Sequence, residues 1–375
     1  MKTCRNVLFA LVCLLLLVLS ISAQGMPALG EDAAIAFLPG KRWTLSPLKG
    51  LRSEQIVQLT GEDSPNRTQS RFGVWGTDLG SLAILNGKTY MFGGDTFADE
   101  NNSHWRSNVL FIIEDDTPAD GLDIVDAVTD RRGKAKELLG SQKVDHVEMT
   151  VIPTNLFAAN CKLYCIYMSV SHWGLPGCWD ARYSGLAVSE DGGYKWKKLP
   201  DVKWPGDSNF IQTANVLIGD TMYIWGIPSG RFGGVALMKV KENKLEDLSA
   251  YRYYTGLNEA GEPVWQAGEE GLRAARLVIE GPAGEISVIY NEHRGRFLIS
   301  YLKEDTAAIV VREGITPWGP WSNPWPVATA GQYPALYGAY MHPEYVEDKG
   351  KSVYFAMSQF FPVYNIFWMR MDFPD

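Results

Sequence analysis

The sequence predicts an all-β protein, a five-bladed β-propeller closed by a strand from its N-terminal side. The chain of 375 residues contains 37 Gly, 13 Trp and 17 Tyr but few long segments with helical periodicity, which is typical of β-structure with many turns. From Gln55 onward, short β-type segments separated by turn signals form five units. Radial repetition of such units protects sheet edges in a propeller, although the irregular unit lengths leave a sandwich or split barrel as alternatives.

The first unit contains a hairpin at Asn86-Gly87, a dipeptide that readily adopts the positive φ angles of a type I′ turn. Counting outward from a two-residue turn gives the pairs Leu85–Lys88, Ala83–Tyr90, Ser81–Phe92 and Asp78–Asp95. Like charges that face each other across two strands are destabilising, which suggests a functional reason for keeping Asp78 and Asp95. A bulge at Gly93-Gly94 would shift this register by one residue.

Each of the first four units is expected to supply four strands. The predicted strands are Thr77–Leu85, Lys88–Asp95, Arg106–Ile113 and Leu122–Val128, then Glu148–Pro153, Lys162–Val170, Tyr183–Ser189 and Trp196–Leu199, then Phe210–Ile218, Thr221–Ile227, Gly233–Val240 and Tyr251–Tyr254, then Glu285–Tyr290, Arg296–Leu302, Ala307–Arg312 and Trp325–Ala328. A short helix is predicted at Arg131–Leu139. The fifth unit has three strands, Leu336–Met341, Ser352–Gln359 and Tyr364–Met371, and Gln55–Leu59 would complete it.

The N-terminal residues have the layout of a secretory signal. Lys2 and Arg5 precede an apolar run, Val7–Leu19, which is followed by Ser-Ile-Ser-Ala. We expect residues 1–23 to be a signal peptide, residues 24–53 a linker or N-terminal arm, and residues 54–375 one catalytic propeller domain. A secreted or periplasmic location follows, with no membrane association after cleavage; a retained anchor is the alternative, although the run is shorter than the ~20 residues that span a bilayer.

The net charge of −8 and a pI near 5.3 argue against nucleic acid as a partner. Cys161, Cys165 and Cys178 follow the predicted signal, and either a disulfide from Cys178 to one of the others or three buried thiols fits the sequence. Cys161 and Cys165 are too far apart along a strand to pair with each other.

The segment Ser189–Trp196 has the sequence S-E-D-G-G-Y-K-W and looks like the Asp-box of sialidase-type propellers. In such a hairpin the Asp accepts backbone N–H groups, the Gly takes a positive φ and the Trp packs between blades. We therefore interpret Asp191 as structural. The tryptophans at 318, 321 and 325 are likewise interpreted as packing at a blade edge.

Acidic residues at the starts of the innermost strands are expected to converge on a central pocket, where Asp95 joins Asp78 from the neighbouring strand. The candidate catalytic residues are Asp78, Asp95, Glu148 and Glu285. Glycoside hydrolysis needs one protonated and one ionised carboxyl group, and mutual repulsion between Asp78 and Asp95 would separate their pKa values. The alternative is that the aspartates stabilise local turns and that the glutamates are solvated.

Candidate substrate-binding residues lie around the same pocket. They are Thr96, Trp105, Arg106, Asn108, His172, Trp173, Gln212 and Tyr337. Arg106 could instead be a structural partner of an aspartate, and Trp173 could belong to the core. No cofactor and no metal ligand are predicted, and the sequence has no G-x-S-x-G, H-E-x-x-H, P-loop or dinucleotide-binding motif.

Several stretches together resemble the domain of unknown function 4185 family. They are FGGDTF with WRSNVL, MSVSHWGLPG with SGLAVSEDGGYKW, GIPSGRFGG, GEISVIYN with AAIVVREG, and LYGAYMHP with MSQF and YNIFWMR. Part of that family is classed as glycoside hydrolase family 183, the endo-D-arabinofuranases. The resemblance implies a five-bladed propeller, cleavage of D-arabinan, and an acidic hairpin formed by Asp78 and Asp95.

We therefore expect a secreted hydrolase that cleaves internal D-arabinofuranosyl linkages and has an arabinan-type polysaccharide as its partner. The alternatives are a propeller that binds glycans or a protein without catalysis, and a related hydrolase for L-arabinan or fructan. The sequence leaves the oligomeric state open.

Overall fold

The computed structural model describes residue 45 and residues 48–115 and 117–374. The predicted signal peptide, residues 1–23, lies outside the described residues, as does most of the predicted arm. Two strands and two helices flank or interrupt the regular repeat. They are β1 (Arg52–Gln58), α1 (Thr68–Phe72), α2 (Gly268–Ala274) and a short strand at Leu277–Ile279, which is β15 in chain order.

The described residues form five antiparallel sheets arranged as the blades of a propeller. Blade one contains β2 (Gly76–Leu85), β3 (Lys88–Phe97), β4 (Val109–Ile113) and β5 (Ile124–Ala127). Blade two contains β6 (Thr150–Ala159), β7 (Lys162–Trp173), β8 (Trp179–Ser189) and β9 (Lys197–Pro205). Blade three contains β10 (Gln212–Ile218), β11 (Thr221–Ile227), β12 (Val235–Lys241), β13 (Arg252–Leu257) and β14 (Pro263–Ala267), and β15 pairs with β12.

Blade four contains β16 (Gly284–Asn291), β17 (Arg296–Lys303), β18 (Ala308–Gly314) and β19 (Trp325–Thr329). Blade five contains β20 (Leu336–Glu347), β21 (Ser352–Gln359) and β22 (Asn365–Asp372), and its fourth strand is β1. β1 pairs antiparallel with β22, so that Arg52 faces Asp372 and Gln58 faces Phe367. The predicted five-bladed class and its closure by an N-terminal strand are confirmed.

A tryptophan lies at each of the five blade junctions. Trp196 of blade two packs on Phe92 of blade one with ring centroids 5.2 Å apart, and at the other four junctions an indole Nε1–H group donates to the neighbouring blade. Trp204 donates to the Tyr253 hydroxyl. Trp225, Trp325 and Trp368 donate to the backbone carbonyls of Pro317, Leu51 and Pro118, respectively. Aromatic side chains supply large buried area together with one directional hydrogen bond, which explains why the tryptophans occupy these junctions.

The Asp-box hairpin has the predicted form. Asp191 Oδ1 accepts the Lys195 N–H at 2.9 Å, and Gly192 and Gly193 have φ angles of 74° and 87°. A Cβ on Gly193 would lie 2.3 Å from a side-chain carbon of Leu110 in blade one. Glycine is therefore required at position 193 both for its φ angle and for the close approach of the two blades.

The predicted helix at Arg131–Leu139 is wrong, because this segment forms turns and an isolated bridge between Thr129 and Ala135. A side chain from outside the segment accepts hydrogen bonds from its backbone N–H groups. Asn108 Oδ1 accepts the N–H groups of Leu138 and Leu139 at 3.0 and 2.9 Å. These long-range hydrogen bonds replace the local ones of a helix.

The three cysteines of the described chain are free thiols, so neither alternative from the sequence holds in full. Cys165 is buried within β7, whereas Cys161 and Cys178 are exposed. None of the helices in the described part of the chain is long and apolar enough to cross a membrane.

Candidate active site

A pocket lies where the innermost strands of the five sheets begin, and all five blades contribute to it. Four of these strands, β2, β6, β16 and β20, carry a register shift close to this end. A bulge re-aims a side chain and interrupts strand pairing. The pocket is therefore lined by side chains that regular alternation along a strand would not bring together.

The hairpin of β2 and β3 follows the predicted register from its turn to Ser81–Phe92 and then departs from it. Asn86 and Gly87 have φ angles of 54° and 73°, as a type I′ turn requires. Leu79 then pairs with Gly93, one residue out of this register, and the register is restored at Thr77–Thr96. Asp78 consequently faces the two residues Gly94 and Asp95 across a bulge, and the predicted direct pairing of Asp78 with Asp95 is wrong.

Asp78 still reaches the pocket together with Asp95. Its Oδ2 accepts the Tyr337 hydroxyl at 2.8 Å, and the Tyr364 hydroxyl also donates to this carboxylate. Burial, followed by the charges of Asp95 and Glu285, raises the pKa of Asp78 to about 7, although the two tyrosine hydrogen bonds oppose the increase. Desolvation and like charge both disfavour ionisation, so Asp78 retains its proton to nearly neutral pH.

Asp95 lies in a different environment. Its Oδ1 accepts two hydrogen bonds, from Trp105 Nε1 at 2.6 Å and from Thr150 Oγ1 at 2.7 Å. Burial raises its pKa to about 6, while these two donors and the charge of Lys143 oppose the increase. Asp95 therefore ionises at a lower pH than Asp78.

Glu285 and Arg231 form a buried ion pair in the pocket wall. Arg231 Nε donates to Glu285 Oε1 at 2.8 Å, and Glu285 is only 4% exposed. Arg231 also lies over the Tyr337 ring, with its Cζ 4.8 Å from the ring centroid. Burial lowers the pKa of Arg231, but the attraction of Glu285 outweighs this effect and the pKa is raised. The pair thus lies in the wall of the pocket that also contains the two aspartates.

Three residues of the pocket lining carry a buried polar atom without a hydrogen-bond partner among the described residues. The atoms are Asp78 Oδ1, Glu285 Oε2 and Trp179 Nε1. Leaving such an atom unsatisfied costs about 1–3 kcal/mol. Trp173 and Trp179 form an aromatic wall beside them, with ring centroids 5.6 Å apart. The pocket wall therefore combines buried polar atoms with an aromatic surface.

The sequence pattern described as Domain of unknown function (DUF4185) matches residues 63–370, which is most of the chain. The chain belongs to this family. It has no significant match among curated protein sequences.

Solved structures share the fold of this DUF4185 protein at low sequence identity. A candidate hydrolase from Bacteroides ovatus is 11% identical and has a TM-score of 0.57, with 92% of this chain and 96% of that chain covered. An exo-β-1,3-galactanase from Phanerochaete chrysosporium is 10% identical and has a TM-score of 0.51, with 85% of this chain and 64% of that chain covered. A GH43_1 enzyme from Xanthomonas citri is 15% identical and has a TM-score of 0.46, with 79% of this chain and 86% of that chain covered. At these identities the similarity concerns the fold.

The structure brings half of the twelve predicted site residues of this DUF4185 protein into one pocket. These six are Asp78, Asp95, Glu285, Trp173, Gln212 and Tyr337. Gln212 Nε2 donates to the Gly230 carbonyl at 3.0 Å and thereby holds the loop that presents Arg231. Trp105 supports the pocket from behind, through its hydrogen bond to Asp95.

The other five predicted residues do not line this pocket. Glu148 precedes β6, pairs with Val144 in an isolated bridge and lies 3.8 Å from Lys198 Nζ. Ile152 and Thr154 of β6 line the pocket, whereas Glu148, which directly follows the turn at residues 145–147, does not.

Thr96, Arg106, Asn108 and His172 have structural contacts instead. Thr96 is buried between Thr77 and the Gly94 carbonyl. Arg106 donates to the carbonyls of Ala135 and Gly73, and the Asn108 Nδ2 group donates to the carbonyls of Leu139 and Val151. His172 contacts Asp145 outside the pocket.

Sequence reasoning missed Arg231, Tyr364, Thr150 and Lys143. Arg231 and Tyr364 occur in the stretches GRFGG and VYNIF, but both lie in loops, where no period indicates the direction of a side chain. Thr150 opens β6 two residues after the predicted Glu148. The length of the turn before β6 determines which residue opens the strand, and knowing that length would have pointed to Thr150 in place of Glu148.

Proposed function

We propose that this protein is a glycoside hydrolase that cleaves internal D-arabinofuranosyl linkages of D-arabinan. The observation that carries the proposal is the pair of carboxyl groups, Asp78 and Asp95, with pKa values raised to about 7 and about 6 in one pocket. Between these pH values Asp78 is protonated and Asp95 is ionised. Glycoside hydrolysis requires this combination.

The geometry supports distinct roles for the two groups. Asp78 is the general acid, which donates its proton to the leaving oxygen, because it keeps that proton to the higher pH. Asp95 is the nucleophile or the base that activates water, because the two donors on Oδ1 stabilise its ionised form. Arg231 is a donor for sugar hydroxyls, and Trp173 offers a ring face for sugar stacking.

The choice of D-arabinan rests on the family resemblance, since part of the family is classed as endo-D-arabinofuranases. The fold similarity to an exo-β-1,3-galactanase supports a glycan-degrading propeller in general. We also propose that residues 1–23 are removed on secretion or export to the periplasm. N-terminal sequencing of the exported protein would show a start near residue 24.

Incubation of the purified protein with D-arabinan, L-arabinan and fructan tests the activity and the substrate together. We expect a ladder of oligosaccharides from D-arabinan only. Products from L-arabinan or fructan alone would overturn the assignment of D-arabinan as the substrate. Saturable binding with no new reducing ends would favour a glycan-binding propeller without catalysis.

The variants Asp78→Asn and Asp95→Asn test the two roles. A positioned acid or base contributes about 10²–10⁴-fold to the rate, so we expect each variant to lose at least about 100-fold in kcat while remaining folded. Asp220→Asn, an exposed aspartate on the turn between β10 and β11, is the matched control and should keep full activity. Full activity in both pocket variants would refute the assignment.

The stereochemistry of the first product reports how the carboxyl groups cooperate. Retaining enzymes hold the two groups about 5–5.5 Å apart, whereas inverting enzymes hold them about 6.5–9.5 Å apart to admit a water molecule. NMR of the anomeric proton during early hydrolysis separates the two. Retention assigns Asp95 as a nucleophile, and inversion assigns it as a base.

A further inference from the structure

Two histidines and an aspartate lie together on the surface beside the pocket. Asp145 and His146 belong to the turn that precedes β6, and His172 lies near the end of β7. The next residue, Trp173, lines the pocket. None of the three side chains lines the pocket or has a role in the proposed hydrolysis.

The donor atoms of the three side chains point toward one another. His172 Nδ1 is 2.8 Å from Asp145 Oδ1, and His146 Nε2 is 3.6 Å from Asp145 Oδ2. The two imidazole rings stack with centroids 4.2 Å apart and an interplanar angle of 15°. One ligand atom from each residue lies within 4.8 Å of the others.

The backbone fixes this arrangement. The His146 N–H donates to the Ser171 carbonyl at 2.8 Å, which ties the turn to the residue before His172. His146 has a φ of 60°, in the left-handed region that non-glycine residues adopt at a cost of about 1–2 kcal/mol. The packing of the turn against β7 thus holds His146 in an unfavourable conformation that places its ring on His172.

We propose that Asp145, His146 and His172 bind a divalent first-row transition metal ion, with Zn²⁺ as the best match. Imidazole nitrogen suits Zn²⁺, Ni²⁺ and Cu²⁺, whereas Ca²⁺ and Mg²⁺ prefer sites made of oxygen atoms. Three protein ligands leave a fourth tetrahedral position for water. Zn–N distances are about 2.0–2.1 Å, so two ligand nitrogens lie at most about 4 Å apart. Binding therefore requires the two stacked rings to turn until both nitrogens face the same point, and His146 is the exposed ring that can move.

Such an ion would join the turn before β6 to the end of β7. The side chains of His172 and Trp173 leave opposite faces of β7, so a metal on His172 fixes the strand end from which Trp173 forms the pocket wall. The expected role is to hold this edge of the pocket in place, without contact between the ion and the reacting atoms.

Cobalt titration of the chelator-treated protein tests the site without reference to activity. Co²⁺ bound by nitrogen and oxygen in a tetrahedral site absorbs visible light, and Zn²⁺ should displace it. We expect one Co²⁺ per chain, at least about ten-fold weaker binding in His146→Ala and in His172→Ala, and no binding in the double variant. His293→Ala, which removes an exposed histidine on another blade, is the matched control and should bind as the parent protein does.

Thermal unfolding separates loss of the site from loss of the fold. An ion that binds only the folded chain raises its Tm, so Zn²⁺ should raise the Tm of the parent protein and of His293→Ala but not that of the double variant. The absence of stoichiometric Co²⁺ binding overturns the proposal. Binding that persists in the double variant and disappears in Cys161→Ser/Cys178→Ser also overturns it, because it places the ion on the exposed thiols.

Discussion

Gly94 allows the Asp78 carboxylate to lie directly against β3. A Cβ at this position would be 2.3 Å from Asp78 Oδ1, which no pair of non-bonded atoms tolerates. The neighbouring Gly93 leaves room for the Thr77 hydroxyl in the same way, since a Cβ there would be 2.5 Å from Thr77 Oγ1. The two glycines before Asp95 therefore provide the space that the carboxyl pair needs.

Lys143 influences Asp95 through Trp105. Its Nζ lies 3.9 Å from the centroid of the Trp105 ring, and the same indole donates to Asp95 Oδ1. The ammonium charge also lowers the pKa of Asp95 directly. Lys143 is held in turn by Glu137, at 3.0 Å. We regard Lys143 as a positioning residue, since it does not line the pocket.

Lys143→Met should therefore shift the acidic limb of the pH–rate profile upward. Removing the positive charge raises the pKa of Asp95, so a higher pH is needed to ionise it, and we expect a shift of about half a pH unit or more. The basic limb, which reports Asp78, should move less. The measurement is kcat/KM for arabinan hydrolysis between pH 4 and pH 9.

Lys198→Met is the matched control for this change. Lys198 is about as exposed as Lys143, at 30% against 28% of its side chain, and also lies over an aromatic ring, that of Tyr167. It has no contact with Asp95. An equal shift of the acidic limb in both variants would show that Lys143 acts only through the overall charge.

At the scale of the element, the bulge in β2 is held by a serine from another blade. Ser358 of β21 accepts the Leu79 N–H at 2.8 Å and donates to the Leu79 carbonyl at 3.3 Å. Leu79 has a φ of 67°, which is unfavourable for a side chain of this size. The two hydrogen bonds stabilise the conformation that turns Asp78 into the pocket.

Ser358→Ala should cost both stability and activity. We expect a loss of about 1–3 kcal/mol in the free energy of unfolding, because the buried Leu79 N–H loses its acceptor, and a fall in kcat that the loss of stability does not explain. Ser300→Ala removes another buried hydrogen bond between blades, the one to the Ala339 carbonyl at 2.7 Å. If the serine acts through Asp78, urea unfolding should show similar losses for the two variants while only Ser358→Ala loses activity.

The elements that local sequence predicts well are those with strong turn signals. Asn86-Gly87 defines its hairpin correctly because both residues adopt the positive φ angles that the turn needs. The insertion of β14, α2 and β15 in blade three was not predicted, and the helix predicted at Arg131–Leu139 is absent. In both places long-range contacts decide the backbone conformation. The bulges that orient Asp78 and Glu285 also depend on neighbouring blades, so a count along one hairpin could find the two aspartates but not their true register.

For the whole molecule, the raised pKa values imply that stability depends on pH. The pKa of Asp78 rises from 3.8 to about 7 on folding. Below about pH 3.8 the carboxyl group is protonated in both the folded and the unfolded chain, and its contribution to stability is fully present. As the pH rises from there through about 7, the unfolded chain ionises first and this contribution is lost. Asp78→Asn removes the dependence, because the amide stays neutral.

We therefore expect Asp78→Asn to become more stable relative to the parent protein as the pH increases. Between pH 4 and pH 8 the difference in unfolding free energy should grow by on the order of 2 kcal/mol, which is less than the full shift implies because Asp78 is only partly buried. Urea denaturation at both pH values measures it. A constant difference would mean that Asp78 titrates with an ordinary pKa.

The fold class was predictable because five units with one strand missing leave few other ways to cover the sheet edges. The site was predictable only in part, since Arg231 and Tyr364 come from loops and reach the pocket only through the ring of blades. Most residues found correctly lie near the ends of the innermost strands, where the architecture itself predicts convergence, and Asp95 and Trp173 lie on the neighbouring strands β3 and β7.

The closure of blade five connects the environment of Asp78 to the pairing of the two ends of the described chain. Tyr337, Tyr364 and Ser358, which bind or position Asp78, all belong to this blade or to the loop that leads into its strand β22. The same blade is finished by β1, from the other end of the described chain. The groups that bind and position Asp78 therefore depend on the pairing of β1 with β22, which joins the two ends of the described chain.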